Sequence, residues 1–185
     1  MKLLLATGNP HKVEELRAAL PGVEIHAFVA AGTPAEDGAT YLGNARIKAQ
    51  HAREHAPADA WVVGEDSGIE AAALGGRPGI ESARWAEDGV AALLEALAHE
   101  TDRRVRYVSE LVAIAPDGEE LRGTGTLDGI AADAPRGSGG FGYDPIVIPL
   151  GETRTVAQLG DAWKSEHSHR ALAAQALRER LRRDR

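Results

Sequence analysis

The chain has 185 residues, a formal net charge of −7 at pH 7 and no cysteine, with 43% hydrophobic and 26% charged residues. This composition fits one globular domain over residues 1–185, excludes disulfides and thiolate chemistry, and argues against broad, sequence-independent binding of nucleic acid. The sequence shows no apolar run of about 18 residues and no signal-peptide pattern, so we expect no association with a membrane and a cytoplasmic location.

Hydrophobic periodicity and cap signals predict strands and helices in the order β-α-β-α-β-β-α-β-β-β-α, which indicates an α/β fold with a sheet of mixed direction. The predicted bounds are strand 3–6, helix 10–20, strand 23–29, helix 40–55, strands 60–64 and 69–74, helix 88–99, strands 105–115, 120–131 and 145–149, and helix 165–183.

The first strand-to-helix turn carries an unusual cation. Asn9 suits the N-cap of the first helix and Pro10 its first position, so His11 and Lys12 fall in the first helical turn. The helix dipole disfavours a cation there by about 0.3–1 kcal/mol. Free backbone amides, Gly8 and a lysine at one turn suit a phosphate. A plain capped helix is the alternative, but it leaves Lys12 unexplained.

Two acidic segments come next. Glu65-Asp66-Ser67-Gly68 is expected to end a short strand, and Glu36-Asp37-Gly38 precedes a helix. Carboxylates at loop positions suit Mg²⁺, which takes one or two carboxylates together with water and substrate phosphates. A turn that simply exposes charge is equally compatible with this spacing.

The helix predicted over 40–55 carries two further pairs at i, i+4 spacing. Lys48 follows Asn44 on one face of the helix. A solvated lysine is the usual interpretation of such a position, but the chain has four lysines against 17 arginines, which narrows the preference for it. His51 and His55 have the spacing of a zinc helix, but the glutamate between them is not where the HExxH motif has it. We therefore interpret the histidine pair as a solvated helix end.

Two segments in the second half combine cations, glycines and aromatic rings. Phe141 and Tyr143 lie on a glycine-rich loop and could stack on a base or plug the hydrophobic core beneath the loop. Lys164, His169 and Arg170 open the last predicted helix, where cations again oppose the dipole. They suggest a second contact with an anion or a carbonyl oxygen, and an exposed polar helix start is the alternative.

Taken together, these motifs are similar to those of a known family. TGNPHK, EDGATYLGNARIKA, EDSGIEAAALGGRPGIESARWA, GGFGYDPI and KSEHSHRAL occur between about residues 5 and 175, in the order seen in the inosine triphosphate pyrophosphatase family. The resemblance implies an elongated α/β fold, with a mixed sheet flanked by helices and a substrate cleft between two lobes. It also implies a homodimer that hydrolyses ITP, dITP or XTP to the monophosphate and pyrophosphate with Mg²⁺, and so keeps these nucleotides out of nucleic acids.

The resemblance also implies roles for individual residues. Glu36 and Asp66 match the family's metal-associated carboxylates, Asp66 matches its proton acceptor, and Lys48 matches a phosphate contact. The triphosphate turn corresponds to Thr7, Gly8, Asn9, Pro10, His11 and Lys12. The remaining substrate contacts correspond to Ser67, Phe141, Gly142, Tyr143, Asp144, Lys164, His169 and Arg170. Glu65 departs from the family, where aspartate is frequent.

Base selection follows from donors and acceptors. Arg170, His169 or backbone N–H groups facing the C6 oxygen of hypoxanthine or xanthine would leave the amino group of adenine opposite another donor. An unpaired buried polar group costs about 1–3 kcal/mol. Preference for dUTP or methylated pyrimidine triphosphates, and sequestration of inosine nucleotides without turnover, are the alternatives.

Overall fold

The computed structural model describes residues 1–32 and 34–183, so one residue between the predicted strand 23–29 and the predicted helix 40–55 lies outside it. A six-stranded sheet has the order β2-β1-β3-β4-β5-β6, with β1 parallel to β2 and β3 and the other neighbours antiparallel. The strands are β1 (Lys2–Ala6), β2 (Glu24–Phe28), β3 (Trp61–Ala71), β4 (Arg104–Ile114), β5 (Glu120–Ala131) and β6 (Val147–Pro149). The helices are α1 (Pro10–Ala19), α2 (Tyr41–His55), α3 (Gly89–Ala96), α4 (Val156–His167) and α5 (His169–Arg183).

The predicted α/β class and mixed sheet are confirmed, and the alternation of side chains along the strands explains the layers. Leu5 and Leu111 belong to an apolar cluster with α1 and α5, whereas Leu4 and Val112 pack with α2. Because neighbouring strand residues point to opposite faces, α2 lies on one side of the sheet and α1 and α5 on the other. Among residues 1–32 and 34–183, no helix is long and apolar enough to cross a membrane. The two-lobed shape stays a prediction.

Glycines let two helices lie directly on the sheet. A Cβ atom on Gly64 would meet the carbonyl oxygen of Ala45 in α2 at 2.0 Å. A Cβ atom on Gly125 would meet the carbonyl oxygen of His169 at 2.0 Å. Real Cβ atoms do not approach backbone oxygen so closely, so only glycine fits at these positions. The second contact fixes the first turn of α5 against β5.

The strand predicted to end at Glu65 continues to Ala71, so the predicted break between strands 60–64 and 69–74 is wrong. The antiparallel partner β4 pairs along the whole segment, including Glu65 with Leu111 and Ser67 with Ser109. Polar side chains suggested a turn, but β4 satisfies the backbone here and charged partners satisfy the side chains. The acidic motif therefore lies in the middle of a central strand.

The single helix predicted over 165–183 is also wrong, because Ser168 has extended backbone angles and separates α4 from α5. Thr155 is the N-cap of α4, and its side chain forms a reciprocal capping box with that of Gln158. That signal, a threonine followed three residues later by glutamine, is present in the sequence. Lys164 lies in the last turn of α4, where the dipole favours a cation, so its assignment to a first turn was incorrect.

Candidate active site

Two adjoining cavities run across β3 and share the lining residues Asn9, Lys12, Ser67 and Ala83. The acidic cavity, of about 520 Å³, has Glu36, Lys48 and Asp66 in its wall, together with Thr7 and Gly8. The aromatic cavity, of about 590 Å³, is lined on its far side by Phe141, Gly142, Tyr143, Asp144, Lys164, His169 and Arg170. Most of the sequence-predicted site residues therefore lie around one continuous space.

The turn between β1 and α1 has the predicted geometry. Asn9 caps α1, with its Oδ1 atom accepting a hydrogen bond from the His11 backbone N–H at 3.0 Å. Thr7 Oγ1 accepts from the Asn9 backbone N–H at 3.1 Å. Pro10 begins the helix, and both Pro10 and His11 lie outside the walls of the two cavities. The His11 ring instead stacks on Phe141, with ring centroids 5.2 Å apart.

Lys48 lies between the two carboxylates expected to bind metal. Its Nζ atom is 2.8 Å from Glu36 Oε2 and 2.8 Å from Asp66 Oδ1. Asn44 donates to the other oxygen of Asp66 at 3.3 Å, so the i, i+4 pair on α2 converges on this carboxylate. Burial raises the pKa of Asp66, and the Lys48 ammonium opposes that shift.

Glu65, the neighbour of Asp66, is committed to a buried ion-pair cluster. Its side chain is fully buried, with Oε2 2.6 Å from Lys12 Nζ and Oε1 3.1 Å from an Arg170 nitrogen. Burial would raise the pKa of Glu65, but Arg170 and Lys12 outweigh it and hold the pKa well below the usual range. The residue that departs from the family pattern thus pairs with two predicted substrate-binding cations.

Asp144 organises the floor of the aromatic cavity. Its Oδ2 atom accepts hydrogen bonds from Lys164 Nζ at 2.6 Å and from the Phe141 backbone N–H at 2.9 Å. Its Oδ1 atom accepts from the Tyr107 hydroxyl at 3.0 Å. Lys164 Nζ also lies 2.5 Å from Glu15 Oε1. One carboxylate therefore links the glycine-rich loop, α4 and β4.

His169 and Arg170, at the start of α5, differ in charge. Burial, reinforced by Arg170, lowers the pKa of His169 well below its usual value, so its imidazole is neutral at pH 7. The ring stacks on Tyr107 at 4.5 Å, and its Nδ1 atom is buried without a hydrogen-bond partner in the described part of the chain. Arg170 donates to Glu65, to Ser67 Oγ at 2.9 Å and to Glu15.

Three site residues were not found from the sequence. Glu15 follows Lys12 by one helical turn and pairs with Lys164 and Arg170. Tyr107 supports His169 from β4, and Arg84 lines the acidic cavity. These roles depend on contacts between distant segments, whereas the spacing of Asn44 and Lys48 was a usable signal for the contact of Asn44 with Asp66.

We expect the Tyr107→Phe variant to lose about 1.5–3 kcal/mol of unfolding free energy, because its hydroxyl donates to a buried charged group. Tyr143→Phe is the matched control: its hydroxyl donates to the neutral Ser82 carbonyl oxygen at 3.0 Å, and we expect a loss of about 0.5–1.5 kcal/mol. Urea denaturation of both variants measures the difference. An equal or larger loss for Tyr143→Phe would contradict this account of Asp144.

Known proteins resemble this chain along nearly its whole length. Residues 3–180 match the model of the Ham1 family. A dITP/XTP pyrophosphatase of Bdellovibrio bacteriovorus is 40% identical, covering 98% of each chain, and one of Symbiobacterium thermophilum is 43% identical, covering 97% of this chain and 94% of that protein.

Solved structures give the same result. The Staphylococcus aureus Ham1 protein superposes with a TM-score of 0.87 at 32% identity, covering all of both chains. The dITP/XTP pyrophosphatase of Mycobacterium abscessus gives a TM-score of 0.73 at 37% identity, covering 95% of this chain and 98% of that one. These matches confirm the resemblance drawn from the motifs. The chain belongs to the Ham1 family.

Proposed function

We propose that this protein hydrolyses non-canonical purine nucleoside triphosphates, such as ITP, dITP and XTP, to the nucleoside monophosphate and pyrophosphate. The observation that carries the proposal is the junction of the two cavities. On one side, Lys48 lies between Glu36 and Asp66, 2.8 Å from each. On the other side, a neutral His169 and the Phe141 ring offer a surface for a base. The names of the similar pyrophosphatases support the same substrate class.

The residues present fit a Mg²⁺ ion. Glu36 and Asp66 each reach the single ammonium group of Lys48, so their oxygens can converge on one cation. Two carboxylates are the usual protein share of a magnesium site. We propose that Glu36 and Asp66 hold the metal, which would supply charge neutralisation for the triphosphate when bound.

The lysines neutralise phosphate charge in this proposal. The side chain of Lys12 is 18% exposed and that of Lys48 is 13% exposed, and both line the acidic cavity. Their ammonium groups, now paired with carboxylates, would turn towards the departing pyrophosphate. Asp66 would accept the proton of the attacking water, since a carboxylate with a raised pKa is the better base.

The base would be selected in the aromatic cavity. Phe141 offers a face on which a purine can stack. Four of the five N–H groups of Arg170 donate hydrogen bonds to Glu65, Glu15 and Ser67, so most of its donors are already held in place. The protonated ring nitrogen of His169 or the remaining donor of Arg170 would face the C6 oxygen. An adenine amino group there would meet a donor.

Purified protein is expected to release pyrophosphate from ITP, dITP and XTP about 5- to 150-fold faster than from ATP, because one mismatched buried contact costs about 1–3 kcal/mol. A panel that also contains GTP and dUTP, with and without Mg²⁺, measures this preference. Equal rates on all substrates, orthophosphate as the first product, or unchanged rates after chelation would contradict the proposal. A preference for dUTP would favour the alternative of a pyrimidine triphosphate substrate. Binding of ITP without turnover would favour the alternative that the protein sequesters inosine nucleotides.

The homodimer and the cytoplasmic location predicted from the sequence belong to this proposal as well. Sedimentation of the purified protein would test the dimer.

A further inference from the structure

Three possible metal ligands cluster at the carboxyl end of α2. His51, Glu54 and His55 are spaced i, i+3 and i+4, so they share one face of the helix. One donor atom from each lies within 4.8 Å of the other two. His51 is partly buried, while Glu54 and His55 are exposed. A cation from solution can therefore reach all three without any change in the core.

Hydrogen bonds already orient both imidazoles. His55 Nδ1 lies 2.8 Å from the His51 carbonyl oxygen, and His51 Nε2 lies 3.3 Å from the Gly32 carbonyl oxygen. A carbonyl oxygen only accepts, so these ring nitrogens carry the protons. The opposite nitrogen of each ring keeps its lone pair. Histidines that bind metals are held in this way, with the second ring N–H donated to a backbone carbonyl.

The basic residue nearest to the cluster in sequence is engaged by backbone carbonyl groups. Arg53 is the basic residue that lies between the two histidines in sequence, and its guanidinium donates to the carbonyl oxygens of Ala56, at 3.1 Å, and of Ala60. Those bonds fix the arginine at the end of the helix. Glu54 supplies the negative charge of the cluster.

We propose that His51, Glu54 and His55 form a surface site for a divalent transition metal, with Zn²⁺ as the representative ion. Two imidazoles and one carboxylate suit Zn²⁺, Ni²⁺ or Cu²⁺ and are a poor set for Mg²⁺, which prefers oxygen. The sequence interpretation set the pair aside because its glutamate does not fit HExxH. That objection does not apply here, because Glu54 acts as a ligand and solvent completes the coordination.

The position of the site relates it to the acidic cavity. His51 lines that cavity together with Glu36 and Lys48, whereas Glu54 and His55 lie outside its wall. A metal at this site would place positive charge at the rim of the cavity. The site is nevertheless separate from the proposed magnesium ligands, so its loss should leave Mg²⁺-dependent turnover unchanged.

Equilibrium dialysis of the full chain against Zn²⁺, with Mg²⁺ in large excess to occupy oxygen sites, tests the proposal. We expect His55→Ala and Glu54→Gln each to weaken Zn²⁺ binding by at least about tenfold. The matched control is His99→Ala, which removes an exposed histidine elsewhere and should bind Zn²⁺ as the unaltered protein does. Circular dichroism and turnover of ITP with Mg²⁺ verify that the variants are folded.

Cu²⁺ electron paramagnetic resonance identifies the ligands independently of activity. The unaltered protein should show coupling to two imidazole nitrogens, and His55→Ala should show coupling to one. Absence of Zn²⁺ binding, Zn²⁺ binding unchanged in His55→Ala, or a Cu²⁺ spectrum without nitrogen coupling would overturn the site.

Discussion

Replacing Asp66 with asparagine is expected to lower the rate of pyrophosphate release from ITP by about 10²–10⁴-fold, the usual contribution of a positioned acid or base. The substitution keeps the shape of the side chain and its contact with Asn44, but removes the charge that pairs with Lys48. It thereby removes both the proposed proton acceptor and one of the two proposed metal ligands. Single-turnover kinetics with saturating ITP measure the loss.

Two companion variants make the Asp66 result specific. Glu36→Gln removes only a proposed metal ligand, so its rate should recover in part at high Mg²⁺, whereas the Asp66→Asn rate should not. Asp128→Asn is the matched control, because Asp128 forms an exposed ion pair with Arg106 away from both cavities. A near-normal rate for Asp66→Asn with an intact fold would refute its catalytic role.

Local sequence signals predicted the framework of the site well. The Asn9 cap and Pro10 start predicted the first turn of α1, and the structure has the same cap. Thr40 likewise caps α2 and so fixes the direction in which Lys48 projects. These signals succeed because capping depends on residues that are three or four positions apart, and such contacts can be read along the chain.

Contacts between distant segments explain the errors. Glu65 and Asp66 resemble a turn when their charges are considered alone, but Lys12, Lys48 and Arg170 neutralise them within the sheet. A charged residue is stable in a buried strand only when oppositely charged groups pair with it. Those partners come from α1, α2 and α5, and no local pattern pairs them. For the same reason, the sequence missed Glu15 and Tyr107.

The ion-pair cluster around Arg170 is expected to carry a large share of the stability of the protein. Arg170→Met keeps much of the apolar volume, but among the described residues it leaves Lys12 as the one cation paired with the fully buried Glu65 and Lys164 as the one cation paired with Glu15. Breaking a buried pair from one side costs about 3–5 kcal/mol, since an uncompensated charge remains. We expect a loss of that size in urea denaturation at pH 7.

The pH dependence separates uncompensated charge from lost packing. Arg170 helps to hold the pKa of Glu65 well below its usual range. The stability that this ion pair contributes is therefore present above a pH of about 4.3 and is lost as the pH falls towards the pKa of Glu65 in the folded protein. In Arg170→Met, burial should raise the pKa of Glu65, and the carboxyl group can then become neutral in mild acid. The destabilisation relative to the unaltered protein should therefore shrink as the pH is lowered from 7 towards 4.

The double variant Arg170→Met with Glu65→Gln should recover part of the loss at pH 7 and show a weaker pH dependence. A loss that is independent of pH and is not relieved by Glu65→Gln would show that Arg170 stabilises the fold through packing instead of charge.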